Sequence, residues 1–251
     1  MERIVIIGFM IIMAAGFHSC TPDEFLEPTT VDLQIKMVNT NPFEEMPGQA
    51  NNPSVEFNEG TFRLSGIEFD GKRENNDNHY FFREFDNMLV ADLSNNSLNQ
   101  KVTFDIPRGS YNPIQIKLHI NGTENSPGLR FRGKWKKQQG RPGFNPQSQD
   151  EIPVEINFFE DIEEEIKLTV NTEAGIGNEQ ILFDEDNWNT LEIRINMAQL
   201  FRSNPGIFEK ARIQGEGQNQ KIIISRYHNN EENMYYSLVN RVEKSIKAVI
   251  K

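Results

Sequence analysis

Few side chains in this sequence have the type and spacing that chemistry requires. Beyond residue 20 the histidines are His79, His119 and His228, which are far apart along the chain. His119 falls on the polar side of an alternating segment, and for each of the three a surface histidine is favoured over a metal ligand or a catalytic base. The chain contains no Gly-x-Ser-x-Gly elbow, no phosphate-binding glycine loop and no His-Glu-x-x-His motif. We therefore predict no catalytic residue, no cofactor and no metal site.

Carboxylates are abundant, but the sequence singles out no catalytic pair. The chain has 37 Asp and Glu residues, and two of them could serve as the acid and the nucleophile of a glycoside hydrolase. Residues 184–187 offer oxygen ligands of the kind that calcium prefers, but Trp188 stands where an EF-type loop would continue, so an acidic turn is favoured. Residues 160–165 are likewise predicted to form a solvated hairpin.

One basic segment stands out in an otherwise acidic chain. Its cations have no acid between them: Arg130, Arg132, Lys134, Lys136, Lys137 and Arg141. On a strand, the even-numbered residues share one face, opposite Phe131 and Trp135. This basic patch is a candidate site for an anionic glycan, a lipid headgroup or an acidic protein surface. The alternative is a solvated strand face whose charge is balanced by the acids of residues 160–165.

Composition limits the class of protein. The chain has 251 residues, a net charge of -11 and 18 phenylalanines, which is enough for one large domain or two small ones with a substantial core. The excess of acid argues against nonspecific binding to nucleic acid, which requires a basic surface. The single cysteine excludes an intramolecular disulfide and a zinc site built from several thiolates.

That cysteine follows an apolar segment near the beginning of the sequence. Residues 4–17 are almost wholly apolar, but this run is shorter than the roughly 20 residues that a membrane-spanning helix needs. Such a run is typical of the hydrophobic region of a secretory signal. Ser19 and Cys20 follow shortly after, and the arrangement resembles a bacterial lipoprotein signal, which is cleaved just before a cysteine that becomes lipidated. The alternative is an ordinary signal peptide with an incidental cysteine, and His18 departs from the tighter form of the motif.

The resemblance implies an organisation for the whole chain. Residues 1–19 would be the signal peptide, residues 20–30 the acylated Cys20 with an acidic, proline-containing tether, and residues 31–251 the folded domain. The acids directly after Cys20 are similar to the export tag that sends Bacteroidetes lipoproteins to the exterior of the outer membrane. A merely solvated acidic linker is the alternative.

Hydrophobic periodicity predicts that strands make up most of the folded domain. In residues 113–121 every second residue is Ile or Leu, and similar alternation recurs in residues 31–38, 101–107, 129–135, 152–158, 165–170 and 190–197. In residues 61–71 the pattern slips by one position at Ser65 and Gly66, which predicts a β-bulge. We expect a mainly β fold, an antiparallel sandwich or barrel, of which we favour the β-sandwich.

The end of the chain predicts one amphipathic helix over residues 229–250. Asn229 and Asn230 can cap it, and acids occupy its first turn. Its apolar positions form a single stripe: Leu238, Val239, Val242, Ile246 and Val249. We expect this stripe to pack on the sheet.

Two stretches resemble known lipoproteins. In "FDIPRGSYNPIQIKL" a Pro-x-Gly-x-Tyr segment separates two strands, as in the prealbumin-like sandwich domains of bacterial lipoproteins of unknown function. In those domains Gly109 would allow the turn and Tyr111 would lead the next strand. The segment "SRYHNNEENMYYSLVNRVEKSIKAVI" is similar to the closing helix of many Bacteroidetes lipoproteins. Together they suggest a Bacteroidetes-type outer-membrane lipoprotein with a prealbumin-like β-sandwich domain.

These observations favour a lipid-anchored protein of the cell envelope. Its expected role is that of a non-enzymatic binding, adhesion or assembly module at the outer membrane, facing the cell exterior. Its expected partners are the membrane, through lipid on Cys20, and an anionic glycan or an acidic protein surface, without nucleic acid. The alternative is a surface hydrolase of glycan or peptide that uses carboxylates the sequence does not pair.

Overall fold

The described residues of the computed structural model form a mainly β fold with a mixed sheet and few helices. The structure describes residues 28–42, 55–74, 78–136, 151–173, 180–184, 189–204, 206–227 and 232–251. The prediction of a strand-rich chain is confirmed. Within these ranges no helix is long and apolar enough to cross a membrane.

Thirteen strands and three α-helices are present in the described residues. The strands are β1 Pro28–Val38, β2 Val55–Arg73, β3 Asn78–Asp92, β4 Ser97–Leu98, β5 Thr103–Pro107, β6 Gly109–Asn121, β7 Leu129–Lys136, β8 Glu151–Phe158, β9 Glu163–Thr172, β10 Ile181–Phe183, β11 Asn189–Asn196, β12 Ile222–Ile224 and β13 Ile246–Ile250. The helices are α1 Met197–Phe201, α2 Ile207–Lys210 and α3 Glu232–Ser245, with a 3-10 turn at Gly217–Asn219.

The strands form two groups that share β9. Along the sheet the order is β12-β8-β7-β2-β6-β9-β13-β11-β1-β5. Three strands lie off this path: β3 pairs with β2, β10 pairs with β6, and β4 pairs with β3. The first part of β9 pairs with β6, and its last three residues pair with β13. We call the strands from β12 to β6, with β3, β4 and β10, the β2 group, and the strands from β13 to β5 the β11 group.

The apolar faces of the two groups meet in a common core. Phe69 and Ile116 of the β2 group and Val31 and Leu191 of the β11 group line the same small cavity, whose volume is about 10 Å³. A cavity of this size holds at most one water molecule, so the two faces are closely packed. The polar faces of both groups therefore point outward.

The expectation of a purely antiparallel sheet is wrong at three strand pairs. β1 pairs with β11, β12 with β8 and β13 with β9 in the parallel direction. Alternation in the sequence reports which face of a strand is buried, but it carries no information about the direction of the neighbouring strand. Each parallel pair joins segments that are far apart along the chain, which leaves enough length for the crossover that parallel pairing needs.

The predicted C-terminal helix ends earlier than expected. Helix α3 ends at Ser245, and residues 246–250 form strand β13 between β11 and β9. Leu238 and Val242 are buried on the helix, as the stripe predicts. Ile246 and Val249 are buried too, but as strand residues, because "IKAVI" is rich in β-branched side chains and fills an interior position of the sheet.

The predicted bulge at Ser65 and Gly66 is confirmed. The pairing of β2 with β6 steps from Leu64–Ile120 directly to Gly66–His119, and the pairing with β3 shifts at the same place. Ser65 is therefore the extra residue of the bulge. Its hydroxyl donates a hydrogen bond to the carbonyl oxygen of His119 at 3.3 Å.

Candidate functional site

A cluster of ionisable side chains lies on the outward face of β2, β6 and β9. Glu68 of β2 is in register with Lys117 of β6, and His119 of β6 is in register with Gly66 on one side and with Glu165 of β9 on the other. Residues directly opposite each other on neighbouring strands share a face, so these side chains converge. We call Glu68, Lys117, His119 and Glu165 the His119 cluster.

The bulge and its glycine position His119. Because Gly66 has no side chain, the ring of Phe82 lies across its backbone, and a Cβ at this position would be 2.8 Å from Phe82 Cε2. The Phe82 ring reaches His119 in this way, with 5.1 Å between the ring centroids and 60° between the ring planes. The imidazole is thus held by a bulge beneath it and an aromatic ring beside it.

The cluster is held together by two carboxylates that share the same two nitrogen-bearing side chains. His119 Nε2 lies 2.7 Å from Glu68 Oε1, and Lys117 Nζ donates to the same oxygen at 2.9 Å. On the other side, His119 Nδ1 is 3.5 Å from Glu165 Oε1, and Lys117 Nζ is 3.6 Å from Glu165 Oε2. Glu68 is the more covered carboxylate, with 17% of its side chain exposed against 52% for Glu165.

Electrostatics keep Glu68 ionised. Burial of the carboxyl raises its pKa, but hydrogen bonds from Lys117 and His119 outweigh this effect and hold the pKa below its usual value. The pKa of Lys117 is correspondingly raised, chiefly by its hydrogen bond to Glu68. Glu68 is therefore a persistent anion at neutral pH.

The cluster opens onto an acidic pocket. A depression of about 630 Å³ is lined by His119, Glu165 and, beyond them, by Glu163 and Glu164 of β9 and Glu243 of α3. Lys167 contributes a positive charge to the same wall. His119 and Glu165 line this pocket and Glu68 does not. Within the cluster, His119 Nε2 faces Glu68 and Nδ1 faces Glu165.

Among the described residues, the His119 cluster also contains a set of groups that could hold a metal ion. One ligand atom each from Glu68, His119 and Glu165 lies within 4.8 Å of the others. The sequence favours a surface histidine at position 119, but only 21% of this side chain is exposed and both ring nitrogens face carboxylates. Alternation predicts the polar face of each strand, whereas only the register brings His119 to Glu68 and Glu165.

A second charged cluster lies on the outward face of the β11 group. The side chain of Glu192 is 1% exposed and pairs with Lys36 at 2.6 Å, with Lys251 at 3.1 Å and with Arg194. Burial raises the pKa of Glu192, but hydrogen bonds from Lys36, Arg194 and Lys251 outweigh burial and lower the pKa to about 2. Because its cations are already engaged, this cluster ties β1, β11 and residue 251 together rather than offering a site.

The four described residues of the basic patch lie on β7, on the face that the sequence predicts. Arg130 and Arg132 pair with Glu155 of β8, and Lys134 and Lys136 pair with Glu151 of the same strand, at 2.9 to 3.6 Å. The paired acids lie on β8, and within residues 160–165 the charge of Glu160 also acts on Arg130. Binding of an anion by this patch stays a prediction.

His79, a further described histidine, does not join these clusters. Cys20, Lys137, Arg141 and His228 lie outside the described residues. Burial and the charge of Arg73 lower the pKa of His79, whose ring packs against the stacked pair Phe69 and Phe81.

Comparisons of the chain with models of protein families, with curated proteins and with solved structures find no match.

Proposed function

We propose that this protein is a lipid-anchored binding module of the bacterial cell envelope, without enzymatic activity, built as a β-sandwich and facing the cell exterior at the outer membrane. The anchor is the lipid on Cys20. Strand β1 starts at Pro28, eight residues after Cys20, and a chain of this length reaches at most roughly 28 Å. The tether would keep the folded domain close to the membrane surface.

Two features support the sandwich architecture. The two strand groups turn their apolar faces toward one core, as the two sheets of a sandwich do. Tyr111 is fully buried, and its hydroxyl donates to the carbonyl oxygen of Pro107 at 2.8 Å, four residues upstream. A tyrosine that bonds back to the backbone at a corner between strands is a recurrent feature of sandwich domains with Greek-key connections. Gly109, at φ 142°, supplies the backbone conformation of this corner.

The observation that carries a binding role is the charge state of the His119 cluster. Its groups lie on an open face, and Glu68 is fixed as an anion between Lys117 and His119. Preformed charges beside an open pocket suit the recognition of a ligand.

A surface hydrolase is the second candidate, and the pair Glu68 and Glu165 is the observation that favours it. Hydrolysis of a glycoside requires one carboxyl group with a raised pKa, which donates a proton to the leaving group. The pKa of Glu68 is instead lowered by Lys117 and His119. Binding is therefore the better supported function.

The anchor is tested by metabolic labelling with a fatty-acid analogue in a bacterial host that processes lipoproteins. We expect the wild-type chain to be labelled and Cys20→Ala to remain unlabelled and to leave the membrane fraction. Ser19→Thr is the matched control, since it changes the neighbouring residue and keeps the thiol. Equal labelling of Cys20→Ala and wild type would overturn the anchor without bearing on the binding role.

A further inference from the structure

We propose that His119 and Glu165 bind a divalent transition-metal ion, with Zn²⁺ as the probe, and that Glu68 positions the imidazole for it. This site goes beyond the proposed function and does not depend on the lipid anchor. It rests on three features: the hydrogen bond between His119 and Glu68, the distance between His119 and Glu165, and the acids of the adjoining pocket.

The hydrogen bond to Glu68 defines which ring nitrogen is available. Nε2 lies 2.7 Å from Glu68 Oε1, whereas Nδ1 lies 3.5 Å from Glu165 Oε1. The shorter contact assigns the ring proton to Nε2, where the carboxylate accepts it. In the neutral imidazole the lone pair then lies on Nδ1. A carboxylate that accepts from one ring nitrogen while the other binds the metal is the usual arrangement of metal-binding histidines.

The distance between His119 Nδ1 and Glu165 suits two ligands of one ion. The two atoms are 3.5 Å apart, and two ligands at roughly 2.1 Å from a tetrahedral zinc ion are separated by about 3.4 Å. Half of the Glu165 side chain is exposed, so it can adjust around the ion. Lys117 need not move far, since its shorter contact is with Glu68.

The acidic side chains of the pocket supply negative electrostatic potential and further oxygen ligands for the ion. Glu163, Glu164 and Glu243 line the pocket together with His119 and Glu165, and Lys167 is a cation of the same lining. Their excess negative charge attracts a divalent cation, and their oxygens and water can complete its coordination. The imidazole nitrogen selects for zinc and similar metals over calcium and magnesium, which prefer oxygen ligands alone.

The test is a Zn²⁺ titration of the full chain in mild detergent, by calorimetry and by competition with a chromophoric chelator. All proteins carry Cys20→Ser, which removes the thiol as a ligand. We expect one Zn²⁺ per wild-type chain and at least tenfold weaker binding in His119→Ala and in Glu165→Gln. Glu216→Gln, an exposed carboxylate outside the pocket, is the matched control and is expected to bind as wild type does.

Glu68 needs a separate readout because it acts through His119. Glu68→Ala is expected to weaken Zn²⁺ binding about tenfold, while Glu68→Gln, whose amide oxygen still accepts from Nε2, restores most of the affinity. If both variants bind equally, Glu68 is not a positioning residue.

Three outcomes would overturn the site itself: no binding to the wild-type chain, unchanged binding in both His119→Ala and Glu165→Gln, or equal competition by Ca²⁺. Glu165→Gln changes a half-exposed side chain and is expected to fold. The site can therefore be tested with this variant even if His119→Ala does not fold.

Discussion

At the scale of single residues, the strongest constraint is the buried carboxylate of Glu192. Its pKa falls from an ordinary value of 4.5 to about 2 in the folded chain. A carboxyl whose pKa is lowered on folding contributes stability that is complete above the unfolded value and is lost as the pH falls through the folded one. The contribution of Glu192 should therefore be complete above pH 4.5 and disappear toward pH 2, and it amounts to roughly 3 kcal/mol.

We predict that Glu192→Gln lowers the free energy of unfolding by roughly 3 kcal/mol at pH 7 and by about 1.4 kcal/mol at pH 3, where the folded carboxyl is still mostly ionised. The variant leaves Lys36, Arg194 and Lys251 around a neutral amide. Urea denaturation at both pH values measures the effect. Glu173→Gln is the control, because this partner of Arg194 is exposed and solvent screens its charge, so it should contribute little stability. A difference between Glu192→Gln and wild type that is the same at pH 7 and pH 3 would contradict this role.

At the scale of elements, the sequence predicts faces better than neighbours. Alternation correctly places Ile114 and Ile116 in the core and His119 outside, and the slip at Ser65 correctly marks a bulge. Register and strand direction depend on contacts between distant segments, so the convergence of His119 with Glu68 and Glu165 could not be derived from spacing. The apolar pattern of residues 246–250 fits both the stripe of a helix and a strand. In the structure these residues pair with β9 and β11, so the sheet contacts favour the strand.

Strand β7 carries the prediction for the basic patch. Lys134 and Lys136 share Glu151 as partner, so the patch should gain anion affinity when that acid is removed. We expect Glu151→Gln to raise the salt concentration that releases the protein from dextran sulfate, and the triple charge reversal of Lys134, Lys136 and Lys137 to lower it.

The control for this experiment is an equal change of net charge elsewhere. Charge reversal of the exposed Lys72, Lys210 and Lys247 alters the total charge by the same amount but leaves β7 unchanged. If this control releases from dextran sulfate at the same salt concentration as the triple variant of β7, net charge alone governs binding and the patch is not a site.

At the scale of the whole molecule, β13 connects the two strand groups. It pairs with β11 over residues 246–250 and with β9 over residues 248–250, so among the described strands the order reaches β11, β1 and β5 only through it. Ala248 lies at its centre, is fully buried, and is in register with Ile193 on one side and Val170 on the other. Since both groups also share one core, their stabilities should be coupled.

We predict that Ala248→Pro destabilises the entire domain by about 3 kcal/mol or more, because proline removes a ladder hydrogen bond and forces its ring into an interior strand. Far-UV circular dichroism follows the unfolding of all strands. The fluorescence of buried Trp135, which lies on β7, follows the unfolding of the β2 group. Both signals should shift together to lower urea concentration. Ser97→Pro, at the exposed residue of the two-residue strand β4, is the control and should shift neither by much. Loss of circular dichroism with an unshifted fluorescence transition would mean that the β2 group folds without the β11 group.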